Sequence, residues 1–182
     1  MADLTLGAWL VVELWLRVHE FARGKGSTKH DRATRTLIAL AIAVAFVLAL
    51  RSRSLAPSLG MPGGHRVLGL IVMWLGLAIR IWAIATLGGS FRTTVEVDPG
   101  QTVVSSGPYA WVRHPSYTGL MLLFAGFGLV VGNWLALAVC VLVPLPALVR
   151  RIDVEETELN RVLGDSYRDY QRHTKRLIPG VW

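Results

Sequence analysis

From Pro115 to Val149 the chain runs for 35 residues without a single Asp, Glu, Lys or Arg. As one α-helix this stretch would extend roughly 50 Å at 1.5 Å per residue, whereas the hydrocarbon core of a bilayer is about 30 Å thick. It therefore has to fold back on itself, and "GNW" at Gly132–Trp134 is the natural turn. Each arm is then short, which predicts thin or tilted packing. The chain is 53% hydrophobic over 182 residues. That excess sits in long apolar runs, so the class is integral membrane protein.

Three further runs fit spans: Leu4 to Val18, interrupted by Glu13; about Thr36 to Leu50; and about Val67 to Leu87, broken by Arg80. The first lacks the basic start and small-residue cleavage site of a signal peptide and is expected to be mature structure. With the hairpin, the sequence predicts an all-α integral membrane protein of about five transmembrane helices and a C-terminal helix in the cytoplasm. It reads as one domain over 1–182. Residues 1–89 supply the N-terminal helices and residues 90–182 the half that carries the chemistry. The formal net charge is +7, and 16 of the 19 basic residues are Arg. They lie between apolar runs and form no single face, which argues against a nucleic-acid partner and for topology signals and contacts with membrane lipids. The basic segment Arg17–Arg35 and the tail after Arg150 predict an external N-terminus and a cytoplasmic C-terminus. The lone Cys140 forms no disulfide within the chain, and no metal site is expected.

The polar residues concentrate in two places. "SSGPYAWVRHPSYTG" at 105–119 abuts the apolar hairpin on the predicted cytoplasmic side. Gly107–Pro108 and His114–Pro115 are turn signals, and Pro115 suits the first turn of a helix, where its missing N–H costs nothing. An interfacial aromatic belt would use such a segment. So would a ligand with a flat ring and a charged tail. The second place is the amphipathic segment from Arg150 to about Tyr170, which Gly164 ends or kinks. Arg151 and Glu155 stand four apart on one face there, as a surface ion pair or as a site for an anionic and a cationic group. Glu156 and Glu158 are expected to be solvated. Arg80 and Glu13 are expected to pair or to snorkel.

"SSGPYAWVRHPSYTG", an apolar hairpin, and "RRIDVEETELNRVLGDSYRDYQRHTKRLIPG" together resemble the isoprenylcysteine carboxyl methyltransferase family over roughly residues 90–182. The resemblance implies an S-adenosylmethionine-dependent methyltransferase with a cytoplasmic cofactor pocket. A lipophilic small molecule or lipidated substrate would enter from the bilayer. Carried over residue by residue, it implies cofactor contacts from Gln101, Thr102, Val103, Val104, Tyr109, His114, Pro115, Ser116, Tyr117 and Glu155. It implies that Arg151 meets the substrate. The Arg- and Ala-rich, Lys-poor composition suggests a bacterial cytoplasmic membrane. In eukaryotic members the acceptor is a prenylated protein C-terminus; a thiol or amine acceptor is an alternative here. "RHP.Y.G" and "RLIPG" also look like the NADPH-dependent membrane sterol reductases, which makes a reductase the second reading.

Overall fold

The computed structural model describes residues 29–88 and 102–182. The expected span at Leu4–Val18, its Glu13 and Gln101 lie outside the described residues. The helices follow in the order α1 (Lys29–Leu55), α2 (His65–Leu87), α3 (Pro115–Val131), α4 (Trp134–Leu142), α5 (Leu145–Leu163) and α6 (Asp165–His173). Short 3-10 turns stand at Pro57–Leu59 and Gly107–Ala110. Among the described residues extended pairing is limited to two isolated bridges, so the fold is all-α.

Thr36–Leu55, His65–Leu87 and the rod Trp134–Leu163 are long and apolar enough to cross a membrane, and Pro115–Val131 is a shorter apolar helix. Leu40, Leu50 and Val67 are 60–65% exposed. So broad an apolar surface is unfavourable in water and natural against lipid. The second span runs to Leu55, five residues past its expected end at Leu50. There the Ser52 hydroxyl bonds back to the Ala49 carbonyl at 2.7 Å. Arg53 reaches across to the last turn of α3, where its Nε donates to the Val131 carbonyl at 2.8 Å.

The expected hairpin turn is present. Gly132 adopts φ +76°, a conformation that favours glycine. Asn133, 1% exposed, caps α4 by accepting from the Leu135 N–H at 2.9 Å. Its Nδ2 donates to the Ala56 carbonyl at 2.8 Å and so ties the turn to the α1–α2 connection. The descending arm departs from a single rod, because α4 ends at Leu142 and α5 begins at Leu145. Pro144 and Pro146 each remove an amide donor there. Val143 and Pro144 stay near helical dihedrals, so the rod is interrupted without turning into a loop.

The α2–α3 pair packs closely, with glycine against glycine. A Cβ on Gly76 would lie 2.6 Å from the Gly119 carbonyl oxygen, and one on Gly126 would lie 2.7 Å from that of Gly69. Met73, fully buried, fills the space between these crossings. Such approach is how small residues let membrane helices gain van der Waals contact where no hydrophobic force acts between them. Gly119→Ala, whose Cβ would sit 2.5 Å from the Gly76 carbonyl, should destabilise the protein by about 1–3 kcal/mol. Gly63→Ala, with nothing within 4 Å, should not. Thermal unfolding in lipid nanodiscs checks this, and equal melting of the two variants would refute the seam.

The helices alternate in direction, so the start of α3, the end of α2 and the charged half of α5 meet at one end of the bundle. Thr34 at the start of α1 joins them there, because Arg151 NH1 donates to its hydroxyl at 3.0 Å.

Candidate functional site

The segment before α3 is shaped by its turn residues. Gly107 at φ +58° opens the 3-10 turn, which places Pro108 and Tyr109 in the interior. His114 occupies the N-cap position and Pro115 the first turn of α3, as the sequence predicts. The His114 carbonyl accepts from the Tyr117 and Thr118 N–H groups at 3.0 and 3.1 Å.

The last residues of the chain lie alongside this motif. Arg113 N–H donates to the Lys175 carbonyl at 2.7 Å, and His114 N–H donates to the Arg176 carbonyl at 3.0 Å. The Thr118 hydroxyl donates to the Leu177 carbonyl at 2.8 Å. Residues 174–177 thus form a strap over the start of α3. The strap is anchored from below by Arg113, which donates to the Gln171 carbonyl at 3.2 Å and to the Thr174 carbonyl, at the C-terminal end of α6.

Glu156 is the centre of the charge network. It is 4% exposed, so its expected solvation is overturned. Oε1 accepts from Arg113 Nε at 2.7 Å and from His114 Nε2 at 3.2 Å. Oε2 accepts from Arg176 Nε at 3.1 Å, and Arg176 NH2 lies 2.9 Å away. Arg176 also pairs with Asp153 at 3.0 Å. Burial of this carboxylate is tolerable because several charge-assisted donors replace water. Glu158 behaves as a surface residue, paired with exposed Arg161.

Glu155 faces the other side of the His114 ring. Its Oε2 accepts from the Tyr117 hydroxyl at 3.0 Å. Its Oε1 stands 3.9 Å from His114 Nδ1. The Tyr117 hydroxyl in turn accepts from Arg151 Nε at 3.4 Å. The His114 and Tyr117 rings stack at 5.7 Å. A continuous line therefore runs from Thr34 through Arg151, Tyr117 and Glu155 to His114 and Glu156.

His114, Tyr117, Glu155 and Arg151, expected to act together, are brought together. Ser116 is buried on the α2 side, where Arg80 NH1 donates to its hydroxyl at 2.7 Å and to its carbonyl at 3.2 Å. That contact gives Arg80 a partner among the described residues; the expected pairing with Glu13 lies outside them. Pro115 is buried in the first turn of α3. Tyr109 is buried, and its carbonyl accepts from the Tyr170 hydroxyl at 2.6 Å. Burial pushes the Tyr170 hydroxyl up to about 12, so it stays a donor. Burial, then the Glu155 charge, push the Tyr109 hydroxyl well above its usual range. Thr102 is exposed and Val103 and Val104 are half-buried. Among the described residues no hydrogen bond joins these three to Glu155.

Arg113, Glu156 and Arg176 join this cluster although the sequence did not single them out. One signal pointed to Glu156: Leu148 and Ile152, both fully buried, stand eight and four residues before it on the same face of α5. For Arg113 and Arg176 no local signal exists, since their partners lie 43 and 20 residues away.

The fold and the site define a polytopic, all-helical membrane protein with a buried polar centre at one end of its bundle. The model of the isoprenylcysteine carboxyl methyltransferase (ICMT) family matches residues 67–161, and the chain belongs to that family. It is 32% identical over 148 residues to a Xenopus laevis protein-S-isoprenylcysteine O-methyltransferase, covering 80% of this chain and 50% of the relative. A probable protein-S-isoprenylcysteine O-methyltransferase of Oryza sativa subsp. indica is 26% identical over 184 residues, with 96% of each chain covered. The solved structure of a eukaryotic intramembrane Ras methyltransferase superposes with a TM-score of 0.66 at 31% identity, over 79% of this chain and 52% of that one. The chain thus spans about half the length of the Xenopus relative and of the solved chain.

Proposed function

We propose that this protein is an S-adenosylmethionine-dependent methyltransferase that acts on a lipophilic acceptor at the cytoplasmic membrane face. The most direct acceptor is the carboxylate of an isoprenylcysteine-like molecule entering from the bilayer. One observation carries this reading: the Tyr117 hydroxyl bonds to both Glu155 and Arg151. An acceptor-rich cluster and a buried guanidinium thereby adjoin at the boundary between charged and apolar surface. The names of the relatives and of the solved structure support the same chemistry.

The donor set fits this cofactor. Glu155, His114 and Tyr117 offer a carboxylate, a ring nitrogen and stacked rings to a group bearing a cationic amine and a flat base. A nicotinamide dinucleotide phosphate presents several negative charges instead. Of the nearby cations, Arg113 of the loop and Arg176 of the tail are already engaged by Glu156, and Arg151 bonds to Tyr117 and Thr34. This favours the methyl donor over the reductase reading. When bound, the cofactor supplies an electrophilic methyl group. Glu155 and His114 hold its polar end, with Tyr109 and residues 102–104 along the approach. Arg151 turns the acceptor carboxylate through its planar fork. A carboxylate is already nucleophilic and needs no general base, so alignment supplies much of the rate. A thiol or amine acceptor would additionally require a proton to leave.

Calorimetry on the purified protein should register S-adenosylmethionine and not NADPH. Methyl transfer to a prenylcysteine analogue should follow. Binding of NADPH alone would reject the reading. The orientation rests on the positive-inside bias. Reporter fusions at Lys25, Ser58 and the C-terminus should read inside, outside and inside, and an external C-terminus would overturn it. A bacterial cytoplasmic membrane is the proposed location.

A further inference from the structure

We propose that residues 177–182 form a hook that dips back into the bilayer, so that the tail beyond α6 is held at the boundary between headgroups and acyl chains. This inference needs only a bundle that spans a membrane and is independent of the reaction proposed above. The hook is defined by its backbone. The Leu177 and Ile178 N–H groups donate to the Trp182 main-chain oxygen at 2.8 and 2.6 Å. The Val181 and Trp182 N–H groups donate to the Ile178 carbonyl, each at 3.1 Å. Pro179 has no N–H to satisfy, and Gly180 makes the turn at φ +74°. A segment that bonds its own amides can leave water without orphaning them, which an open loop cannot do.

The side chains favour the same surroundings. Leu177 is buried and roots the hook, and the Thr118 hydroxyl donates to its carbonyl at 2.8 Å. Beyond it Ile178 and Val181 are 52% and 72% exposed, and Trp182 is exposed as well. No side chain from 177 to 182 is charged. The strap just before the hook is continuous with surface already assigned to lipid. Its Lys175 bridges to Val112, whose neighbour Trp111 is exposed and meets the Trp82 ring edge-on at 5.8 Å. Trp82 is an exposed residue of α2, a helix long and apolar enough to cross a membrane. The outer face of α2 therefore passes through two tryptophans, the residues favoured at a membrane interface, to the strap and its hook. Arg172 and Lys175, both exposed, come just before the hook. They meet headgroup phosphates when the apolar tip lies below them.

Arg176 ties the hook to the buried network. Its guanidinium carbon lies 5.8 Å from the centre of the Trp182 ring, and the same guanidinium pairs with Glu156 and Asp153. A bilayer that holds Trp182 thus also steadies the strap over the start of α3. The test uses the full chain in nanodiscs, one copy per disc, with a nitroxide on Val181→Cys. Leu40→Cys, on the exposed apolar face of α1, is the lipid reference. Asp165→Cys is the water reference, at a side chain 96% exposed. Parent protein carried through the same labelling corrects for buried Cys140. Oxygen, which partitions into acyl chains, should relax the Val181 label as it relaxes the Leu40 label. A water-soluble nickel chelate should relax it several-fold less than the Asp165 label.

Equal nickel access at Val181 and Asp165 would overturn the proposal and leave the tail in water. A Val181 label shielded from both oxygen and nickel would overturn it too, because a protein surface and not lipid would then cover the hook. A second variant checks the cause. With the label on Ile178→Cys, adding Val181→Asp puts a carboxylate at the exposed tip without touching the packed core. Nickel access at Ile178 should rise several-fold as the hook leaves the bilayer. Unchanged access would reject insertion as what holds it there.

Discussion

Arg151→Ala should depress kcat/KM toward a prenylcysteine analogue by roughly 30- to 1,000-fold, the loss of about 2–4 kcal/mol from a charge-assisted clamp on a partly desolvated carboxylate. Affinity for S-adenosylmethionine should change little, because the Tyr117–Glu155 bond does not pass through Arg151. Arg151→Lys should recover only part of the activity. An ammonium lacks the planar fork, and here Nε and NH1 serve Tyr117 and Thr34 separately. The competing idea is that Arg151 marks topology at the membrane surface, as its neighbour Arg150 would. Burial separates the two. Arg151 is 3% exposed, whereas Arg150 faces outward. Arg150→Ala should therefore be nearly silent. Equal activity of Arg150→Ala, Arg151→Ala and Arg151→Lys would remove Arg151 from the site.

The largest stability effect should come from Glu156→Ala. Removing one member of a buried ionic network leaves uncompensated charge, at a cost of about 3–5 kcal/mol. For a chain of this size that corresponds to a drop in Tm of roughly 6–20 °C. The strap should loosen as well, because Glu156 holds Arg176 from the tail and Arg113 from the loop in one place. Faster amide exchange is expected at Arg113 and His114, whose N–H groups bond to strap carbonyls. Glu158→Ala is the natural control, since among the described residues that side chain pairs with an exposed partner three residues on. If Glu156→Ala melts with the parent, the buried network contributes nothing to stability.

Much of the bundle was legible from local pattern. The hairpin followed from the length of an uncharged run against the thickness of a bilayer, and its turn from Gly132 and Asn133. Pro115 marked the start of α3 because a residue without an amide proton fits a first turn. Gly164, at φ +58°, separates α5 from α6 as expected. The second span runs past its expected end at Leu50, because the charge of Arg51 does not end the helix. An arginine that can point out of the bundle does not stop a helix. Pro144 and Pro146 interrupt hydrogen bonding in the descending arm without changing its hydropathy, so the apolar run alone does not reveal the break.

The candidate site was legible in part, and the division has a physical cause. Hydropathy, turn chemistry and four-residue spacing are properties of neighbours along the chain. The sequence by itself therefore determined the membrane class, the hairpin, and the placing of His114, Tyr117, Arg151 and Glu155 on two segments at one end of it. Which of two adjacent glutamates is buried depends on what faces the helix, and that is a property of tertiary structure. Only the fold decided that Glu156 lies inside among Arg113, His114 and Arg176 while Glu155 keeps its carboxylate toward Tyr117 and the open side. A carboxylate leaves water only where distant donors converge on it. Here those donors come from a loop before one helix and from a tail beyond another, and no reading of either segment alone could have joined them.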